Sequence, residues 1–189
     1  MRGTNRKSDR AAMLLVWVLL AVASPVHAVT VGLGVFGGEN LPLAQEDNDP
    51  GPQWGIRVPV HAVSNVTFEP FFAIADGGRH EETFGGTTYD RIGFNVLSYG
   101  AIAAWGRMGL GSGFPVFPYV GIGSYRLARE GAEARTELGY SAGVGYAYAL
   151  PVGFALQARS EVVVVPTDET SRRFVNLNVG VQFRFHPVP

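Results

Sequence analysis

Histidines and carboxylates are the side chains of this sequence best suited to acid–base catalysis, and the chain contains no cysteine that could act as a thiol nucleophile. Beyond residue 28, the histidines are His61, His80 and His186. His80 is followed by Glu81 and Glu82, a triplet that could be drawn as a metal site or as an acid–base pair. Its spacing matches no metal or catalytic motif, however, and charged residues in a solvated loop need no such role. The sequence therefore predicts a non-enzymatic protein without a catalytic, metal or cofactor site.

Composition excludes a second class of function, the binding of nucleic acids. Beyond residue 28 the chain has no lysine, and acidic residues outnumber arginines. It therefore has no basic stripe that could neutralise phosphates. The glycine pairs Gly32/Gly34 and Gly121/Gly123 do not indicate nucleotide loops, because no helix-type spacing follows either of them.

Five charged residues could instead form a network inside a folded sheet. They are Arg57, Glu69, Arg159, Glu161 and Arg184. Each lies on the less apolar face of a segment in which apolar residues alternate with others. Because buried charges persist only when they are paired, we expect a lumenal polar network that plugs the protein. A gate or a narrow conduit is the alternative interpretation.

Eight alternating segments must position this network. A period of two residues is the signal of β-strands. The predicted strands are 29–37, 53–62, 66–76, 89–105, 116–127, 136–149, 154–165 and 174–185. In the fourth segment two outward faces remain possible, one with Phe94 and Val96 and the other with Leu97 and Tyr99.

The composition of the two faces distinguishes a membrane barrel from a soluble one. In the last segment, Leu177, Val179 and Phe183 share one face, whereas Asn178 and Gln182 share the other. The less apolar face carries too few charges to be the exterior of a soluble protein. We therefore expect the aliphatic face to contact lipid and the other face to line a lumen.

Turn lengths give an independent test of this arrangement. Short connections near 63–65 and 150–153 alternate with longer, charged ones, as expected when the short turns and both termini share the periplasmic side. The connection at 107–113 is longer but rich in glycine, and we interpret it as a turn.

The turn at 150–153 also sets which residues face each other. It places Arg159 opposite Gly145, and Glu161 opposite Gly143. Glycine at these positions would leave room for the long charged side chains.

Two prolines interrupt the second and third predicted strands. Pro59 and Pro70 each remove a ladder hydrogen bond, which normally indicates an edge or a bulge. The turn near 63–65 places Glu69 opposite Pro59 and diagonal to Arg57. We therefore expect a bulge near Glu69 and Pro70, or an error in the register of this hairpin.

The first 28 residues predict a secretory signal peptide. A basic start is followed by an unbroken apolar run from Ala11 to Ala23, and a small residue, Ala28, marks the expected cleavage site. The run is shorter than the about 20 residues that a helix needs to cross a bilayer. This leaves residues 29–189 as one barrel domain.

Three strand segments carry a resemblance to a known family: Pro118 to Gly123, Gly143 to Tyr146 and Val179 to Phe185. Through them the sequence resembles the small outer-membrane β-barrel family, which includes the OmpA/OmpX-like transmembrane domain and its single-domain members. The resemblance implies an all-β protein, a closed eight-stranded antiparallel up-and-down transmembrane β-barrel in the bacterial outer membrane. It further implies contact with outer-membrane lipid and lipopolysaccharide, recognition by the barrel-assembly machinery, and a monomer.

Four functions remain open on the sequence alone. The leading hypothesis is a non-enzymatic protein with a structural or surface-contact role through its extracellular loops. The first alternative is a narrow channel for small or apolar solutes. A lipopolysaccharide-modifying enzyme ranks below it, since the strands bring no outward histidine beside an outward serine. A soluble lipocalin-like carrier is the last alternative.

Overall fold

The computed structural model describes most of the chain beyond residue 29. The described residues are 30–43, 49–63, 66–77, 80–91, 94–106, 115–129, 131, 133–167 and 171–185. The predicted signal peptide and His186 lie outside this part of the chain.

Eleven β-strands and one 3₁₀ turn form the described structure. The strands form because aliphatic and aromatic residues, which favour the pleated conformation, recur at every second position. One face of each strand is therefore apolar and points outward, and the other face is buried inside the barrel. In chain order the elements are β1 (Thr30–Pro42), β2 (Gly51–Arg57), β3 (Val60–Val63), β4 (Val66–Ala75), β5 (His80–Phe84), β6 (Thr87–Arg91), β7 (Asn95–Trp105), β8 (Val116–Ala128), β9 (Arg135–Ala149), the 3₁₀ turn (Pro151–Gly153), β10 (Phe154–Val165) and β11 (Arg172–Phe185).

Eight wall strands close into a barrel. Around the ring they are β1, β2 with β3, β4, β7, β8, β9, β10 and β11, and the antiparallel pairing of β11 with β1 closes it. β2 and β3 count as one wall strand, because both lie between β1 and β4 in a single register. The predicted closed eight-stranded antiparallel barrel is confirmed.

Two predicted strand boundaries are wrong. β1 continues past residue 37 because Gly38 to Pro42 pair with β11. The fourth wall strand begins at Asn95 instead of residue 89, because β6 pairs with β5 in a separate hairpin. Gly85 and Gly86 form the tip of this hairpin with φ angles of 61° and 81°, which glycine adopts without steric cost.

The aliphatic face points out of the barrel, as predicted. Leu177 and Val179 are 44% and 66% exposed, whereas Asn178 between them is 4% exposed. The open choice in the fourth wall strand is also resolved: Val96 is 6% exposed and points inward, and Tyr99 is 52% exposed and points outward.

The bulge expected near Glu69 and Pro70 is not found. Pro70 pairs with Ala101 in a register that continues unshifted along β4 and β7. The predicted register of the β3–β4 hairpin is confirmed at Val60, which pairs with Phe68, and it shifts between His61 and Val63, next to the turn. The irregularity of this hairpin therefore lies near its turn and not at Pro70.

The barrel accommodates the two prolines by giving up one hydrogen bond at each. The backbone N–H of Val58 donates to the Pro70 carbonyl at 2.9 Å, and that of Gly32 donates to the Pro59 carbonyl at 2.8 Å. Neither proline has an N–H to return. At each proline the two paired residues therefore share one backbone hydrogen bond, where a regular antiparallel pair would share two. β2 ends and β3 begins on either side of this interruption.

The two ends of the barrel differ in their connections. The terminal end carries Thr30, Phe185, the short connections β3–β4 and β9–β10 and the longer connection β7–β8, and the loop end carries the other connections between wall strands. Within the described part of the chain, no helix has the length and apolar character needed to span a bilayer.

Candidate functional site in the barrel interior

Side chains fill the interior of the barrel, and two apolar clusters bound its polar part. The loop-end cluster packs with Phe94 and consists of Ala75, Val96, Tyr125, Leu127, Val163, Val165 and Phe174. The second cluster packs with Phe71 and consists of Ile102, Ala104, Phe117, Tyr119 and Ala147. Buried charges and amides occupy the space between and beside them.

A bidentate ion pair between Glu69 and Arg159 forms the centre of the polar part. Arg159 Nη1 lies 2.7 Å from Glu69 Oε2, and Arg159 Nη2 donates to Glu69 Oε1 at 2.9 Å. The side chains are 1% and 0% exposed for Arg159 and Glu69. Arg159 also donates to Gln157 Oε1, and Gln157 Nε2 donates to Gln182 Oε1 at 2.5 Å. The carboxylate and guanidinium are thus matched in the geometry that best offsets the cost of burying them.

Aromatic rings occupy the space that glycines leave in the wall. The predicted pairing of Arg159 with Gly145 is confirmed, but a Cβ at Gly145 would lie 2.2 Å from the Phe117 ring. A Cβ at Gly143 would likewise lie 2.6 Å from Cζ of the Tyr119 ring. The expectation that glycine makes room for the charged side chains was therefore wrong. The rings lie against the glycines, and the Arg159 guanidinium stacks 5.0 Å from the Phe117 centroid and 5.3 Å from that of Tyr119.

Arg57 and Glu161 lie inside the barrel but bond to amides. Arg57 Nη2 donates to Asn178 Oδ1 at 3.0 Å, and its guanidinium lies 3.8 Å from the centroid of the Phe36 ring. Glu161 Oε1 accepts a hydrogen bond of 2.9 Å from Asn176 Nδ2. Arg57 and Glu161 thus each bond to an asparagine amide, whereas Glu69 and Arg159 pair with each other.

Arg184, the fifth predicted residue, lies apart from the Glu69–Arg159 pair. It is 9% exposed and lines a cavity at the terminal end of the barrel. His61 lines the same cavity, and its Nδ1 lies 2.7 Å from Thr67 Oγ1.

Buried amides are the main component that the sequence analysis missed. Asn40, Gln53, Gln157, Asn176, Asn178 and Gln182 are all less than 9% exposed. Their signal in the sequence is an amide at an inward position of a strand, which by itself predicts only lumen lining. Glu69 Oε2 and Arg159 Nη1 contact each other as an ion pair. Apart from these two atoms, three buried polar atoms keep no hydrogen-bond partner among the described residues: Gln53 Oε1, Arg57 Nε and Asn178 Nδ2.

The interior offers charge pairing and packing but no assembled reactive group. Among the described residues, no group of three or more histidine or acidic side chains is placed to share a metal ion. The side chain of His80, in β5, is not among those described. What the arrangement can do chemically is to fill the lumen and hold opposite walls together.

We predict that Gly145→Ala destabilises the barrel by about 1–3 kcal/mol, the usual cost of overpacking. The new Cβ would overlap the Phe117 ring, which is 1% exposed and has no free space to move into. Urea unfolding in detergent micelles, followed by tryptophan fluorescence, measures the loss. Gly37→Ala is the matched control, because its Cβ would lie 3.7 Å from its nearest neighbour. Equal midpoints for the two variants would contradict the packing described here.

Comparison with known proteins agrees with this architecture. The family model for the outer membrane protein beta-barrel domain matches residues 11–185. Neisserial surface protein A is 18% identical, with a TM-score of 0.59 over 86% of this chain and 100% of that protein. A major outer membrane protein from Thermus thermophilus is 15% identical, with a TM-score of 0.56 over 84% of this chain and 100% of that one.

A third similar structure is the attachment invasion locus protein Ail of Yersinia pestis in complex with the heparin analogue sucrose octasulfate. It is 15% identical, with a TM-score of 0.51 over 85% of this chain and 100% of that one. Comparison with curated proteins gives no match. The protein is located in the bacterial outer membrane, and its chain belongs to the outer membrane protein beta-barrel domain family.

Proposed function

We propose that this protein is a non-enzymatic outer-membrane barrel with a closed lumen. It has a structural role in the cell envelope and makes surface contacts through its loop end. The Glu69–Arg159 pair carries the proposal. β4 and β10 stand four positions apart in the ring of eight wall strands, so the pair spans the lumen from one side to the other. A buried bidentate pair across the full width closes the space that a solute would have to use.

The size of the interior cavities supports a closed lumen. Three cavities inside the wall have volumes of about 20, 10 and 10 Å³. A cavity needs about 10–15 Å³ to hold one water molecule, so each of the three has room for one or two water molecules at most. A sugar or an amino acid would fit none of the three.

The loop end supports a role in surface contact. The β5–β6 hairpin belongs to a sheet of its own beyond the wall, and its tip residues Thr83 to Thr87 include exposed positions. Barrels of this kind keep their termini and short turns in the periplasm, which would direct the loop end outward. The similar Yersinia pestis protein was solved with a sulfated sugar analogue, which is consistent with contact to surface polysaccharides.

Planar-bilayer recordings test the closed lumen. We expect the wild-type barrel to show no steady, sizeable single-channel conductance. The double variant Glu69→Ala/Arg159→Ala removes the pair that spans the lumen and should show more frequent opening events. Arg126→Ala, an exposed position on the outer wall, is the control and should behave as wild type. Steady conductance of the wild-type protein would overturn the proposal.

A narrow channel is the second candidate function. The partnerless atoms Gln53 Oε1, Arg57 Nε and Asn178 Nδ2 favour it, because buried polar atoms without partners attract water. The same recordings distinguish the two functions.

Lipopolysaccharide modification has less support. Ser160 lies on the outer side of β10 and is half-buried, whereas His61 lies inside the barrel at the terminal end. A lipid-facing acyl transfer would need the base and the nucleophile on the same side of the wall. Incubating lipopolysaccharide with the purified barrel and measuring its acyl chains tests this directly.

The maturation and the partners of the barrel complete the proposal. Residues 1–28 would be removed on export, and N-terminal sequencing of protein purified from membranes checks the cleavage after Ala28. The barrel-assembly machinery would insert the chain, which would remain a monomer in contact with outer-membrane lipid and lipopolysaccharide. Sedimentation in detergent of matched density tests the oligomeric state.

A further inference from the structure

Two of the small interior cavities adjoin each other around Gln53, and we call them the Gln53 cavities. Each has a volume of about 10 Å³. One borders the loop-end cluster at Val163 and Phe174, and the other borders the second cluster at Phe71 and Ile102. The two cavities therefore lie between the apolar clusters. They share five lining residues, each from a different wall strand: Gln53, Ala73, Ser98, Tyr125 and Asn176.

Two of the partnerless polar atoms belong to residues that line the same cavity. Gln53 Oε1 is an acceptor and Arg57 Nε is a donor, and neither has a hydrogen-bond partner among the described residues. Both residues are 6% exposed, and both line the cavity that borders Phe71. A buried polar atom without a partner destabilises a fold. The two atoms therefore favour a ligand that reaches both of them inside the cavity.

The charges around this cavity decide what kind of ligand it takes. Arg57 and Glu161 both line it, so a cation would meet the guanidinium and an anion would meet the carboxylate. The ligand is therefore neutral, and it must accept from Arg57 Nε and donate to Gln53 Oε1. A water molecule does both. The volume agrees, because a cavity needs about 10–15 Å³ to hold one water molecule.

We propose that the Gln53 cavities bind two long-lived water molecules, one in each, as part of the folded structure. The first water connects Gln53 Oε1 with Arg57 Nε. The second lies against the loop-end cluster, beside Asn40 and Asn176, and donates to the second lone pair of Gln53 Oε1. An enclosed water satisfies these atoms without a continuous path through the lumen, so the site is independent of whether the barrel conducts.

Nuclear magnetic resonance in deuterated detergent micelles tests the proposal, with water itself as the probe. The methyl group of Ala73 is the reporter, because this residue lines both cavities and is buried. We expect nuclear Overhauser effects between this methyl group and water, with the sign that marks a long-lived contact. The signal should be lost in Gln53→Met, which keeps a side chain of similar length and removes the acceptor.

Gln157→Met is the matched control for this experiment. The Gln157 amide is also buried, but it bonds directly to Arg159 and Gln182 and does not line the Gln53 cavities. The control should keep the water signal at Ala73. Ser98→Ala serves if Gln53→Met does not fold, because it removes a hydroxyl that lines both cavities and should weaken the signal.

A crystal structure of the wild type gives a second measurement. It should place a water molecule within hydrogen-bond distance of both Gln53 Oε1 and Arg57 Nε. No water at this position, a contact at Ala73 with the short lifetime of exchanging solvent, or an unchanged signal in both cavity variants would each overturn the proposal. Steady conductance together with a long-lived contact would overturn the closed lumen and support the water site.

Discussion

Replacing Glu69 by leucine is expected to lower the free energy of unfolding by about 3–5 kcal/mol, because it leaves the Arg159 guanidinium buried without its counter-charge. Both side chains are almost fully buried, and the two contacts between them are 2.7 and 2.9 Å long. Nearby amides cannot replace a carboxylate, since Gln157 is already hydrogen-bonded to Arg159 and Gln182. Urea unfolding in phospholipid vesicles, read from Trp54 and Trp105 on the outer wall, measures the change.

A double variant separates the lost pairing from the lost packing. Glu69→Leu/Arg159→Met removes both charges and should recover most of the stability, because an apolar pair of similar volume carries no desolvation cost. Glu39→Leu makes the same change at an exposed position and should alter stability by no more than about 0.5 kcal/mol. A double variant as unstable as the single one would show that the pair does not act as a unit.

Placing arginine at Val179 is expected to cost about 2–4 kcal/mol of folding free energy in a bilayer, the range for a cation on the lipid face near the midplane. Val179 is the most exposed of the large apolar residues of β11 and lies near the middle of that strand. Refolding into vesicles at a series of urea concentrations, read from tryptophan fluorescence, gives the difference.

The depth of the substitution provides the control for this experiment. Val31→Arg makes the same change at the terminal end of β1, where arginine reaches the interface and should cost no more than about 1 kcal/mol. An equal cost at Val31 and Val179 would mean that Val179 does not lie in the hydrocarbon region.

The wall of the barrel was more predictable than its interior. Strand registers followed from the sequence where a short turn sets them, as in the pairing of Arg159 with Gly145 across the 150–153 turn. In β11 the direction of the strand face followed from alternation together with the composition of the two faces, since a shift by one residue would turn Val179 inward and Asn178 outward. In β7 alternation left both directions open. At β6 this pattern failed, because the alternation of the wall continued into a hairpin that belongs to a different sheet.

Interior contacts depended on strands that the sequence could not bring together. Glu69 bonds to Arg159 across the ring, and no local turn relates β4 to β10. Gly145 faces Phe117 through the β8–β9 pairing, whereas our counting had considered only its pairing with β10. A side chain that projects into a lumen meets residues from every wall strand, so the closest partner is decided by the shape of the whole ring.

The separate β5–β6 hairpin has a consequence for how such a protein diversifies. Its two strands pair with each other, and in the described part of the chain neither belongs to the sheet of the wall. Changes in the length or sequence of this ribbon therefore leave the ladder of the barrel untouched. Mutation can reshape this ribbon while the wall below it stays constant, so the sequence of this connection and the insertion of the barrel into the membrane can evolve separately.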